Sequence, residues 1–274
     1  KVIFTILNRP NPKFILDKFL TKRKKLNLEY FFEKYFNKNL LNCKYHYLEH
    51  HLCHLASSFY PSGFKESLAI SYDGKGESES SMVGLGKNDT IQMVNNENHY
   101  PDSLGMIYSA ITFYLGWKTN CDEGIVMGLA PYGNAKEKIP NKKESYLDVF
   151  RKIIIKKGNL GFKINKDWIA YHLERDKWVS KKFTTLFGKK RNWEDKIKKK
   201  HMNIAAALQL RLEEIIIPQL KYLKKKYNIN YLCLSGGVSL NCSLNGKIVQ
   251  SKIFKEIFVT PASSDAGISI GACY

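Results

Sequence analysis

The run "YLCLSGGVSLNCSLNGKI", Tyr231 to Ile248, constrains the fold more than any other stretch of the chain. A buried strand that turns through two adjacent glycines into a helix start is the pattern of an α/β nucleotide site: glycines let backbone N–H groups close on a phosphate, and the helix N-terminus offers further amides. Structural packing alone is the competing reading. Before it, "MNIAAALQLRLEEIIIPQLKYLKKKY", Met202 to Tyr227, keeps Ile204, Leu208, Leu212, Ile215 and Leu223 on one helical face, with Pro218 expected to kink the helix. After it come the strand "EIFVTP" and the small-residue run "ASSDAGISIGA". Helix, strand, glycine turn, helix and strand in this order read as α/β.

Earlier segments fit that class. "SLAISYDGKGES", Ser67 to Ser78, is an apolar strand entering a Gly-rich turn, and "SSMVGLGK" after it alternates like a returning strand, so the two read as a hairpin. Leu104, Ile107, Tyr108, Ile111 and Leu115 recur at helical spacing, with Gly116 as the helix end. Residues 134–200 are polar, aromatic and irregular and read as a variable insertion. Residues 1–40 become a basic, aromatic, amphipathic stretch.

The 274 residues carry a formal charge of +19, which raises the question of nucleic acid. Lysine dominates the excess, in "LTKRKKL", "FGKKRNWEDKIKKKH" and "LKYLKKKY", which read as a connecting segment, a loop and a helix end. No RNA-binding motif and no aromatics interleaved with the basic runs accompany them, which argues against specific nucleic-acid binding. No run approaches the roughly 18 to 20 apolar residues that cross a bilayer. The six cysteines lack a CxxC pair and four lie in segments that look buried; free thiols in a reducing, cytoplasmic setting are the simpler account.

The chemistry-bearing residues begin with "EHHLCH". On a helix His50 and His54 share a face four residues apart, close enough to ligate one metal, while His51 points elsewhere and Cys53 is read as a buried hydrophobe. A polar helix end with solvated histidines is the alternative. In "SYDGKGES", Asp73 precedes Gly74 and Gly76 at a strand end, where amides can approach a phosphate and the carboxylate can orient water or a metal; a tight hairpin turn explains the same residues. Asp265 is a lone acid among small residues, which if buried needs a cation or several donors, and otherwise reads as a helix N-cap.

"HHLCHLASSFYPSGF", "SYDGKGES", "YPDSLGMIYSAITFYLGWK", "EGIVMGLAPYG", "SGGVSLNCSLNGKI" and "PASSDAGISIGA" occur together and in order. In these blocks the chain resembles the O-carbamoyltransferases of the nodulation-factor, cephalosporin and aminoglycoside type. The resemblance implies an actin/hexokinase-like (ASKHA) fold of two α/β lobes around a nucleotide cleft, here truncated at both ends. Residues 1–274 would be an incomplete carbamoyl-transfer domain, lacking an N-terminal phosphate-binding hairpin and a C-terminal YrdC-like domain, with residues 134–200 framing the acceptor site. It also implies that His50, His54 and Asp265 hold a divalent metal, usually iron as Fe(II). Asp73, Gly74 and Gly76 would line the nucleotide phosphates, and Gly236, Gly237 and Asn241 the adenosine side.

The implied reaction makes carbamoyl-adenylate from carbamoyl phosphate and ATP in the YrdC-like domain and passes the carbamoyl group to a hydroxyl of a small-molecule or sugar acceptor. This piece alone is then expected not to complete the reaction. Asp122 and Glu123 are candidates for the base that deprotonates the acceptor, against the plainer reading of exposed loop acids. A tRNA threonylcarbamoyl-type transferase and a non-catalytic metal- or nucleotide-binding paralogue are the competing classes.

Overall fold

A computed structural model describes residues 46–95 and 98–274, with positions 12, 13, 15, 16, 20 and 44. The amphipathic stretch over residues 1–40, the run "LTKRKKL" and Cys43 fall outside the described residues. The strands are β1 (Glu66–Tyr72), β2 (Ser81–Lys87), β3 (Thr90–Asn95), β4 (Ile154–Lys157), β5 (Gly161–Ile164), β6 (Tyr231–Ser235) and β7 (Glu256–Val259). Among the residues described from position 46 on, the helices are α1 (His50–Phe59), α2 (Leu104–Tyr114), α3 (Glu123–Leu129), α4 (Tyr146–Ile153), α5 (Lys181–Phe187), α6 (Lys199–Tyr227), α7 (Cys242–Gln250) and α8 (Ile268–Cys273).

β1 lies at the centre of a mixed five-stranded sheet of order β3-β2-β1-β6-β7. The hairpin expected from the sequence is β1 against β2, antiparallel from Glu66 opposite Lys87 to Tyr72 opposite Ser81. On its other side β1 pairs with β6 in parallel, and β6 with β7 in parallel. Because side chains alternate across a strand, β1 feeds two layers. Leu68, Ile70 and Tyr72 join Ile107 and Ile111 of α2 and Leu208 and Leu212 of α6 in one core, while Ala69 faces Leu55 and Phe59 of α1. β6 divides the same way, with Leu232 and Leu234 on the first side and Cys233 on the second.

The five apolar positions read onto one face of α6 are all buried, and the helix runs on through Pro218 as one 29-residue element. Gly116 follows the end of α2 with a φ of 91°. Residues 134–200 are not irregular, contrary to what their polarity implied. They form α4 with a Ser145/Asp148 capping box, the β4–β5 hairpin and α5. Phe150, Ile154, Phe162, Trp168 and Phe183 pack into the same core as β1. These elements are short, so their apolar residues never run long enough to display a period.

The cysteines are less buried than their segments suggest. Cys53 and Cys233 are buried, but Cys121, Cys242 and Cys273 are exposed, and all five are free thiols. Among the described residues, no helix is long and apolar enough to cross a membrane.

At the start of α6, His201 Nδ1 accepts from the Lys198 amide at 3.0 Å. Burial, reinforced by the positive charges of Lys200, Arg191 and Lys198, holds this imidazole down to about 4 from an ordinary 6.5. The unfolded chain therefore binds a proton that the folded chain refuses. The stability contributed by neutral His201 is present above pH 6.5 and lost as the pH falls toward 4. Asn at this position keeps an acceptor without the titration, so the melting temperature of His201→Asn should fall less steeply than that of the unaltered protein over this window.

Candidate metal centre and cleft

The Glu49 side chain caps α1 by accepting from the Leu52 amide at 2.5 Å, which fixes the helix start just ahead of the histidines. One helical turn then brings His50 and His54 together, with their Nε2 atoms 3.1 Å apart. His51 turns to the sheet instead, bonded through Nδ1 to Ser71 Oγ at 2.9 Å and through Nε2 to the Glu79 carbonyl at 3.1 Å. Burial pushes its imidazole down to about 4. Cys53 is buried, as a small hydrophobe should be.

Two carboxylates from distant parts of the chain meet the histidine pair. Asp73, at the end of β1, places Oδ2 3.3 Å from His50 Nε2 and 4.0 Å from His54 Nε2. Asp265 Oδ1 is 3.5 Å from both imidazoles. Asp265 is carried by a 3-10 turn leading into α8, and α8 is seated against α1 by Gly271, where a Cβ would fall 1.9 Å from the Cys53 carbonyl oxygen. The helix that supplies the histidines thus also receives the element that supplies the second acid. Asp265 is not the buried acid considered from its surroundings in the sequence: its side chain is 70% exposed, and Ser264 occupies the N-cap position.

Donor atoms bound to one transition ion at about 2.0–2.2 Å stand about 3–3.5 Å apart when adjacent. The distances between the two histidines, from His50 to Asp73 and from Asp265 to both histidines have that spacing, Asp73 to His54 is longer at 4.0 Å, and the ligand atoms all lie within 4.8 Å of one another, so the set could hold a metal ion. His54 Nδ1 is buried with no hydrogen-bond partner among the described residues, which leaves the polar anchoring of its ring to what Nε2 faces. The electrostatics agree. The hydrogen bond to Asp73 raises His50 despite burial. Burial opposes the charge on Asp73, yet His50, the Gly237 and Gly74 amides and His54 outweigh it and hold the carboxyl well below the usual range.

Asp73 and Asp265 of the cluster border a cleft of about 840 Å³, with the two histidines behind them and outside its lining. Asp73, Gly74, Gly237 and Asn241 of the residues assigned to nucleotide binding border it, and Gly237 N donates to Asp73 Oδ1 at 2.9 Å, tying the two glycine turns together. Gly76 and Gly236 do not border it. A Cβ at Gly76 would meet His51 at 2.8 Å, and one at Gly236 would meet the Tyr72 carbonyl oxygen at 2.2 Å, so both permit close packing behind the site. Ser103 caps α2 and donates to the Asp73 carbonyl at 2.9 Å, which fixes that helix along the cleft.

Asp122 lies outside the cleft lining, its side chain accepting from the Lys118 amide at 2.9 Å. Glu123 borders it and is held by three donors: Ser109 Oγ at 2.6 Å, Asn120 N at 2.8 Å and Cys121 N at 2.9 Å. The fourth metal-competent residue is Asp73, whose carboxylate the sequence offers to water or a metal and the family resemblance to the phosphates; the structure sets it beside the histidine pair. Lys75, within the "SYDGKGES" turn, also lines the cleft, as do Tyr108 and Trp178, for which the sequence pointed to no site.

The sequence model of the family described as "Carbamoyltransferase N-terminus" matches residues 3–274. An uncharacterized protein of Synechocystis is 36% identical over 226 residues, covering 82% of this chain and 35% of that protein. Nodulation protein NolO of Bradyrhizobium diazoefficiens is 35% identical, over 82% of this chain and 37% of its own length. Nodulation protein NolNO of Sinorhizobium fredii is 35% identical, over 82% and 30%. The chain thus spans about a third of the length of these curated relatives. Among solved structures, full-length HypF in its phosphate- and nucleotide-bound form aligns at 16% identity over 82% of this chain and 41% of that one, with a TM-score of 0.41. By its match along nearly the whole sequence, the chain belongs to the carbamoyltransferase family, in the part that forms that family's N-terminus.

Proposed function

We propose that this chain carries the transfer step of an O-carbamoyltransferase, in which a carbamoyl group passes from carbamoyl-adenylate to a hydroxyl of a small-molecule or sugar acceptor. The single observation that supports it most is the convergence of His50, His54, Asp73 and Asp265, whose two carboxylates border a cleft that two glycine turns also line. We further read the mixed sheet as part of a two-lobed actin/hexokinase-like fold, the nucleotide as ATP or its carbamoyl-adenylate product made by a YrdC-like domain, and the setting as cytoplasmic. Fe(II) suits two imidazoles and two carboxylates. When bound, such an ion supplies Lewis acidity toward phosphate or carbonyl oxygens.

The chain's own residues do the rest. Gly74 and Gly237 let the backbone approach the phosphates without a Cβ in the way. Asp73 orients His50 and accepts from the Gly237 amide, so the turn and the ligand set move as one. Glu123, rather than Asp122, would accept a hydrogen bond from the acceptor hydroxyl, a reading supported by its being the one of the two that borders the cleft. Trp178, from within residues 134–200, lines the cleft and supports the assignment of that segment to the acceptor side.

The test is transfer of label from carbamoyl phosphate by the full-length gene product, offered hydroxylated small molecules and tRNA. ATP-dependent label on a small-molecule hydroxyl is expected. Label on tRNA alone, or on nothing, would reject the reading.

A further inference from the structure

We propose that Gln209 and Glu213, two buried residues of α6 that do not border the cleft, are positioning residues: they fix the hydrogen-bond polarity of its inner wall so that it selects a 6-amino purine over a 6-oxo purine. This rests on the reading of the cleft as a nucleotide site.

Polarity is set from the protein interior outward. An ionised carboxylate can only accept, so Glu213 Oε1 turns the Gln209 amide nitrogen toward itself, at 2.9 Å. The Lys247 ammonium holds the other carboxylate oxygen. Gln209 Oε1 therefore faces the opposite way and accepts from the Tyr108 hydroxyl at 3.1 Å and from Asn241 Nδ2 at 2.8 Å. Asn241 is oriented independently, because its Oδ1 accepts from the Leu244 amide at 2.8 Å where it caps α7, and from Gln209 Nε2 at 3.1 Å. Flipping either amide would set acceptor against acceptor, so both orientations are fixed by groups whose own polarity is not in question.

The consequence reaches the cleft through Tyr108. Its proton is committed to Gln209, so its oxygen offers only lone pairs to a ligand. Tyr108 and Asn241 both border the cleft, and Asn241 follows Gly237 by one 3-10 turn, with Met127 and Val238 as apolar neighbours. A ligand atom that meets Tyr108 Oη must donate. Adenine has an amino donor where guanine has a carbonyl. A carbonyl placed against Tyr108 Oη would leave two desolvated acceptors facing each other, a mismatch that sites of this kind reject strongly. Without Gln209 the hydroxyl is free to rotate and serve either edge.

Equilibrium titration of the full chain with ATP and with GTP, carrying the divalent ion it holds as purified, tests the relay. The unaltered chain should bind ATP at least about tenfold more tightly than GTP. Gln209→Leu and Tyr108→Phe should each bring that ratio to within about threefold, with melting curves showing that the variants are folded. Tyr108→Phe, the smaller change, decides the matter if Gln209→Leu does not fold. An unchanged ratio, an equal loss of both nucleotides, or no preference in the unaltered chain would overturn the relay and leave the nucleotide site standing. Binding of neither nucleotide by the unaltered chain would overturn both.

Discussion

Asp73→Ala is expected to lower metal affinity by about 100-fold or more and to destabilise the fold by about 1–3 kcal/mol, a larger combined effect than loss of any other ligand. The reason is that Asp73 serves two structures at once. Its Oδ2 faces His50, and its Oδ1 accepts from the Gly237 amide across the join between β1 and β6. Removing the carboxylate takes away a ligand atom and leaves a partly buried N–H without its acceptor. Asp73→Asn separates the two roles, since an amide oxygen can still take the Gly237 hydrogen bond while the negative charge is gone. Metal affinity should then fall nearly as far as in the alanine variant, with most of the stability retained. Metal titration and chemical denaturation read the two quantities independently; equal stability losses in both variants would show that the Gly237 bond contributes nothing.

Gly236→Ala should cost about 3 kcal/mol or more and abolish soluble, folded protein if the stability margin is small. Gly236 has a φ of 83°, a conformation that side chains rarely adopt, and a Cβ there would lie 2.2 Å from the Tyr72 carbonyl oxygen and 2.6 Å from its carbon. Neither atom can yield, because Tyr72 ends the central strand. Gly237→Ala is the informative neighbour: its Cβ would meet only Asp73 Oδ1, at 3.1 Å. It should leave stability within about 1 kcal/mol of the unaltered protein while weakening nucleotide binding. Gly124→Ala, with nothing within 4 Å, is the control expected to be neutral or slightly stabilising in α3. Denaturant midpoints of the three variants would contradict the account if Gly236→Ala proved as stable as Gly124→Ala.

The elements legible in the sequence were those whose pattern is local. The β1–β2 hairpin, the helix from Leu104 and the buried stripe of α6 follow from alternation and helical spacing alone, and all are present. The regular structure of residues 134–200 was not legible because α4, β4, β5 and α5 bury their apolar residues against other elements, which spacing within the segment cannot reveal. The pairing of His50 with His54 needed only one helical turn. Asp73 and Asp265 reach them by tertiary routes, one through the register of β1 in the sheet and the other through the docking of α8 on α1. The two glycines at positions 236 and 237 looked equivalent in the sequence. Backbone conformation separates them, making the first a packing requirement and the second a border of the cleft.

If His50, His54, Asp73 and Asp265 form a metal site, elemental analysis of the purified chain after dialysis shows it directly. About one transition metal per chain is expected, with near-complete loss in His50→Ala and His54→Ala and full retention in Cys53→Ser, since Cys53 is buried away from the ligand set. Full metal content in both histidine variants, or none in the unaltered chain after loading with Fe(II), would contradict it.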